Sequence, residues 1–168
     1  KTELMGYAFQ IFSLFVANSQ QNCQLYEAIT GSLIQNQSNW GADMKYLIPS
    51  MGQFLIAMIA KYPDYSKQYC SQFGEILKHL MQSSVRMETT ALQIAGLIVV
   101  RIGIFDAQFM KDFLFQVFSS MHYYKNNTKN QSIPQAITRQ IFTFFAVIAI
   151  TFDVDTLVSM CDQIQPDI

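Results

Sequence analysis

Four residues of the helix-capping type, Asn22, Asp64, Asp106 and Asp153, recur at intervals of 42, 42 and 47 residues (22 to 64, 64 to 106, 106 to 153). Each stands just ahead of a stretch whose apolar residues fall three and four apart. A short polar side chain there accepts a backbone N–H of the first helical turn, and a carboxylate also meets the positive end of the helix dipole. The intervals lie within the roughly 40–47 residues of HEAT and armadillo units. In such units a pair of helices buries its apolar faces against the next pair, so the spacing predicts a stack of tandem hairpins.

The stretches after the four caps are amphipathic. Leu25, Ile29 and Leu33 form the first stripe, and Tyr69, Phe73, Ile76, Leu77 and Leu80 the second. Phe109, Phe113, Leu114, Val117, Phe118 and Met121 form the third, and Val154, Leu157, Val158, Cys161 and Ile164 the fourth. Between them lie four segments, about 1–18, 45–61, 86–103 and 134–152, that are apolar around most of their girth, which predicts cover by neighbours on several sides. No Asn-Gly or Asp-Gly hairpin turn occurs. The expected fold is therefore all-α, an α-α superhelix or solenoid of about four HEAT-like helical hairpins. Approximate boundaries are 1–40, 41–83, 84–125 and 126–168 within one continuous unit, 1–168. Pro49 and Pro134 suit first turns, where a missing N–H is harmless, and the polar run Lys125–Ser132 reads as a loop that lengthens the third interval.

So apolar a chain, 51% hydrophobic and only 14% charged, must be tested against a membrane. A spanning helix needs about 20 apolar residues. Leu4–Ala17 ends in a polar run, Tyr46–Ala60 is broken by Pro49, Gly52 and Gln53, Ala91–Val100 is closed by Arg101, and Ile141–Phe152 lies between Arg139 and Asp153. Buried helices explain these lengths better, so no membrane insertion is expected. Eleven Lys and Arg against 12 Asp and Glu give a net charge of −1, leaving no basic excess for phosphates, so nucleic acid is not an expected partner. Three scattered cysteines, Cys23, Cys70 and Cys161, fit a reducing compartment. The sequence opens at Lys1 with no secretory signal pattern, and the expectation is a fragment of a longer chain.

Bond chemistry finds no foothold. The two histidines are His79 and His122; Cys70, nine residues before His79, makes no i, i+4 ligand pair with it, and His79, one position from the Ile76-Leu77-Leu80 stripe, is expected to be partly buried. There is no glycine-rich phosphate loop, and no nucleophile sits in a recognisable motif. Met44, Met51, Met58, Met81, Met87 and Met110 are dispersed along the helices and read as core filling. No catalytic, cofactor-binding or metal residue is assigned. What remains is surface recognition, for which solenoids supply extended faces.

Several local words occur in an order that resembles a known family. Tyr7-Ala8-Phe9-Gln10 is followed by Ser13-Leu14, then Trp40, then Ile48-Pro49 opening a helix, and finally Asp162-Gln163-Ile164-Gln165-Pro166. Together they resemble the C-terminal HEAT repeats of the CAS-type exportins, the importin-alpha re-exporters of the importin-beta superfamily. The likeness covers nearly the whole chain. It departs in a Trp40–Pro49 interval about two residues wider than the family pattern, in Tyr46-Leu47 where Gly-Asn is usual, and around 123–132.

The resemblance implies a nuclear transport receptor, not an enzyme. The complete protein would bind importin-alpha and RanGTP together, meet nuclear pore proteins, and shuttle between nucleus and cytoplasm, with GTP hydrolysis left to Ran and no cofactor of its own. In that superfamily the second helix of each hairpin lines the concave face. Polar residues placed there are Lys67, Gln68, Gln72, Glu75 and Lys78 on the fourth expected helix, and Lys111, Asp112 and Gln116 on the sixth. The repeat period alone would equally suit a HEAT-type interaction scaffold outside nuclear transport.

Overall fold

The computed structural model describes residues 2–36, 40–41, 44–81, 84–103, 107–127 and 135–164, and contains no strand among them. The helices are α1 (Thr2–Asn18), α2 (Gln24–Gln35), α3 (Ile48–Lys61), α4 (Pro63–Lys67), α5 (Cys70–Met81), α6 (Val85–Arg101), α7 (Ala107–Asn127), α8 (Gln135–Thr151) and α9 (Val154–Ile164). They form two rows. In one, α1, α3, α6 and α8 pack successively on one another, and in the other α2, α5, α7 and α9 follow in the same order. This is a helical-repeat stack of the all-α solenoid kind.

The greasy helices make the first row because an apolar helix must be covered on several sides. In α3 and α6 this is fulfilled: Met51, Phe54, Leu55, Met58 and Ile59 on α3 and Ala91, Leu92, Ile94, Ala95 and Ile98 on α6 are buried. The two approach closely because Gly52 of α3 faces Thr90 of α6, and a Cβ at Gly52 would run into the threonine methyl. Gly74 does the same between α5 and α7, where a Cβ would lie 2.9 Å from the Phe109 ring. Phe109 stacks on Phe113 at 5.9 Å between centroids, and Phe113 meets Phe144 of α8 edge-on at 5.4 Å. Aromatic contacts therefore run from α5 through α7 to α8.

Polar groups tie the layers where helices end and backbone carbonyls lack intrahelical partners. Trp40, with no exposed surface, donates Nε1–H to the Leu33 carbonyl at 2.9 Å in the last turn of α2. Arg101 reaches from α6 to the Ala60 carbonyl at 2.8 Å in the last turn of α3; separately, in the first turn of α2, the Tyr65 hydroxyl donates to the Glu27 carbonyl at 3.1 Å. Pro49 occupies the first turn of α3, as its fixed φ favours. Of the methionines read as core filling, Met51, Met58, Met81, Met87 and Met110 are buried and Met44 is half-buried.

The capping pattern holds in part. Asp153 caps α9, its Oδ1 accepting Thr156 N–H at 2.8 Å and its Oδ2 accepting the Thr156 hydroxyl at 2.7 Å. Asn22 does not cap α2: Cys23 takes that position, and the Asn22 amide donates to Glu27 Oε1 at 2.8 Å. Asp64 lies inside α4, because Pro63 starts that helix and leaves Tyr62 at its N-cap. Asp106, Pro134 and residues 128–132 lie outside the described residues, while 125–127 continue α7 rather than opening a loop.

Other expectations need correcting. A turn at Gln68–Tyr69 separates α4 from α5, so Lys67 and Gln68 precede the amphipathic helix instead of lying on it. His79 is exposed, since its position falls on the outer side of α5. Leu25, Val154 and Val158 are exposed members of expected core stripes. Deep burial also fails at the two ends of the first row. Among the described side chains of α1 only Val16 is fully covered, and Phe142 and Ile150 of α8 are exposed, because an end helix has a row neighbour on one side only.

Candidate protein-interaction surface

The amphipathic period of α5 buries Phe73, Ile76, Leu77 and Leu80, which turns Glu75 outward and leaves Gln72 and Lys78 half-exposed. Lys78 sits at the seam between α5 and α7. Its Nζ lies 3.7 Å from Glu75 Oε1 and 5.9 Å from the centroid of the Phe109 ring. Such a surface pair contributes little to stability, yet it fixes where the positive charge is displayed. Gln72 Oε1 accepts the Ser71 hydroxyl at 2.8 Å.

Lys67 and Gln68 are exposed at the end of α4 and in the turn after it. On α7, Lys111 and Asp112 are half-buried, and Asp112 Oδ1 accepts Gln108 Nε2 at 2.8 Å. The helices α5 and α7 run side by side, joined by Gly74 against Phe109 and further along by a pocket that Met81 and Gln116 share. Six of the eight predicted residues lie on α5 and α7 of the second row, and Lys67 and Gln68 lie just ahead of α5, on α4 and in the turn after it. Seven offer charged or amide groups to solvent. Gln116 differs: its side-chain oxygen is buried and has no hydrogen-bond partner among the described residues.

That pocket is the feature sequence reasoning missed. It encloses about 510 Å3 between α5, α6 and α7, with Glu88, Gln116, Ser120 and Tyr124 inside and Phe115 and Tyr123 on its rim. Glu88, only 6% exposed, accepts the Ser120 hydroxyl at 2.7 Å and a hydrogen bond from Tyr124. Burial pushes its carboxyl above the ordinary range, against the smaller downward pull of those two hydroxyls. Burial and the neighbouring carboxylate push the Tyr124 phenol upward. The available signal was the spacing Gln116, Ser120, Tyr124, a polar line at every fourth position beside the Phe113–Val117 stripe.

Apolar surface collects elsewhere. On α1, Leu4, Tyr7, Ile11, Leu14 and Phe15 are exposed, and a groove of about 480 Å3 opens between α1, α2 and α3. At the other end lie Phe142, Ile150, Val154 and Val158. Among the described residues no helix is long and apolar enough to cross a membrane, and no group of three His, Cys, Asp or Glu side chains is placed to hold a metal ion. Burial raises the Cys70 thiol above its ordinary value, against a smaller opposing pull from Lys67, which disfavours the reactive thiolate.

The residues that carried the family resemblance take structural places. Phe9 packs against Phe54 at 6.2 Å between centroids, Trp40 and Ile48 are buried, and Tyr7 is exposed. Asp162 is exposed on α9, and Gln165–Pro166 lie outside the described residues. The family model described as "CAS/CSE protein, C-terminus" matches residues 1–168. No curated protein and no solved structure matches the chain.

Proposed function

The chain belongs to the CAS/CSE family, a family of exportin-type nuclear transport receptors and not of enzymes, and on that premise we propose that it serves in returning importin-alpha to the cytoplasm in a RanGTP-dependent complex. The observation that carries this reading is the end-to-end family match on a helical-repeat stack. In this reading the chain is one solenoid segment of four hairpins in a receptor that passes the nuclear pore and shuttles between nucleus and cytoplasm. Its work is binding alone, and GTP hydrolysis belongs to Ran.

The contact surface we assign is the second row together with the α4–α5 turn, with Lys67, Gln68, Gln72, Glu75, Lys78, Lys111, Asp112 and Gln116 as its polar members. Charged residues of both signs at the rim of a binding face set orientation and encounter rate more than total affinity. Reversing two charges is therefore the direct test. In the complete receptor, Lys67→Glu with Lys111→Glu is expected to weaken assembly with importin-alpha and RanGTP about tenfold, with the association rate falling most and thermal stability unchanged. Unaltered affinity would remove these residues from the interface.

A further inference from the structure

The pocket between α6 and α7 has a chemistry that the transport reading does not use. It is lined by a carboxylate, Glu88, and by a carbonyl oxygen, Gln116 Oε1, that nothing among the described residues satisfies. A buried polar atom without a partner is costly and is rarely left so without a reason. The Glu88 carboxylate offers about four lone-pair directions, of which the hydroxyls of Ser120 and Tyr124 occupy part. The unmet capacity of both groups is for donors.

Among the described residues that line the pocket there is no lysine, arginine or histidine, so an ionised Glu88 has no cationic neighbour among them. The mouth is flanked by Phe115, 38% exposed, and Tyr123, 60% exposed, two aromatic rings on the same helix. At about 510 Å3 the cavity is many times the roughly 30 Å3 share of one water molecule and takes a long side chain. A ligand that fits has several N–H donors, positive charge, a flat group that stacks on aromatic rings, and a slender stem. The guanidinium of arginine meets all four conditions, with a fixed fork of donors and weaker hydration than an ammonium.

We propose that the pocket formed by Glu88, Gln116, Ser120 and Tyr124, rimmed by Phe115 and Tyr123, receives an arginine side chain of a partner polypeptide. Glu88 pairs with the guanidinium, Gln116 Oε1 accepts a further N–H, and the rim rings flank the entering stem and plane. The assignment rests on the pocket alone and stands or falls separately from the export reading.

The test uses the 168-residue chain and an acetylated, amidated glycine-arginine-glycine peptide, with counterparts in which citrulline or lysine replaces arginine, followed by NMR titration. The arginine peptide is expected to give saturable shifts centred on the Gln116 side-chain amide and the Ser120 backbone. Citrulline, nearly isosteric but uncharged, and lysine, charged but not planar, are each expected to bind about tenfold more weakly or worse. Glu88→Gln is expected to abolish the preference for arginine over citrulline. Tyr123→Ala, on the exposed rim where folding is not at stake, is expected to weaken the arginine peptide about threefold. No saturable shift, shifts centred elsewhere, equal binding of the arginine and citrulline or arginine and lysine peptides, or an arginine preference that survives Glu88→Gln would overturn the proposal.

Discussion

At the scale of single residues, Glu88 is the side chain whose placement departs furthest from what its type prefers. A carboxylate buried on α6 beside Met87, Ala91 and Leu92 must be desolvated, and hydroxyl partners compensate only in part. Because burial raises its folded-state pKa above the unfolded value, the folded state holds the proton more tightly. Its contribution to stability is therefore full below the unfolded pKa and is lost as pH rises through the folded one. Glu88→Gln keeps an acceptor for Ser120 and Tyr124 and removes the charge. Urea midpoints compared across pH 4–8 are expected to converge at the acid end and to favour the variant increasingly toward neutrality. A difference independent of pH would contradict the assignment. Neither the burial of Glu88 nor its pairing with Ser120 was legible in the sequence, because the 32 positions that separate the two are closed only by tertiary packing.

At the scale of helices, the period of the pattern decided most of the outcome. The greasy segments expected near 45–61, 86–103 and 134–152 are α3, α6 and α8 within a few residues, since a three- and four-residue recurrence admits little else. Caps were less legible. Any Asn or Asp near a helix start reads as a cap, and at Asp64 the neighbouring Pro63 fixed the start two residues earlier than an Asp64 cap would. The close approach of α3 to α6 was also invisible, because a glycine such as Gly52 in a helix says nothing of what faces it. It has a definite consequence. Gly52→Ala gains about 1 kcal/mol of helix propensity but drives a methyl into Thr90, at about 1–3 kcal/mol for overpacking. The single variant is expected to be destabilised, or at best neutral. Gly52→Ala with Thr90→Ser, which deletes the obstructing methyl and keeps the hydroxyl bonded to the Arg86 carbonyl, is expected to exceed it by about 1–2 kcal/mol beyond additivity. Additive denaturation midpoints would place the two residues apart.

For the whole molecule, the stack distributes stability between neighbours, so its two ends are where apolar surface goes uncovered. Leu4 is 72% exposed at one end and Ile150 86% at the other. The 168-residue chain on its own is accordingly expected to self-associate with rising concentration. Phe15→Glu combined with Ile150→Glu is expected to shift it toward monomer in sedimentation without lowering its melting temperature by more than about 2 °C, as substitutions at exposed sites change stability little. Persisting self-association would locate the sticky surface elsewhere. The solenoid class was legible because repetition is a property of the sequence itself. Which residues face a partner was not, since curvature and face arise from how the hairpins stack.

Under the proposed export function, the complete receptor loads importin-alpha only with Ran in the GTP state. The most direct measurement is capture of importin-alpha by the complete receptor with RanGTP, with RanGDP and without Ran. Capture that depends on RanGTP is the predicted result. Equal capture in all three conditions, or none from a folded and monodisperse receptor, would leave the helical stack standing and contradict the assignment to importin-alpha export.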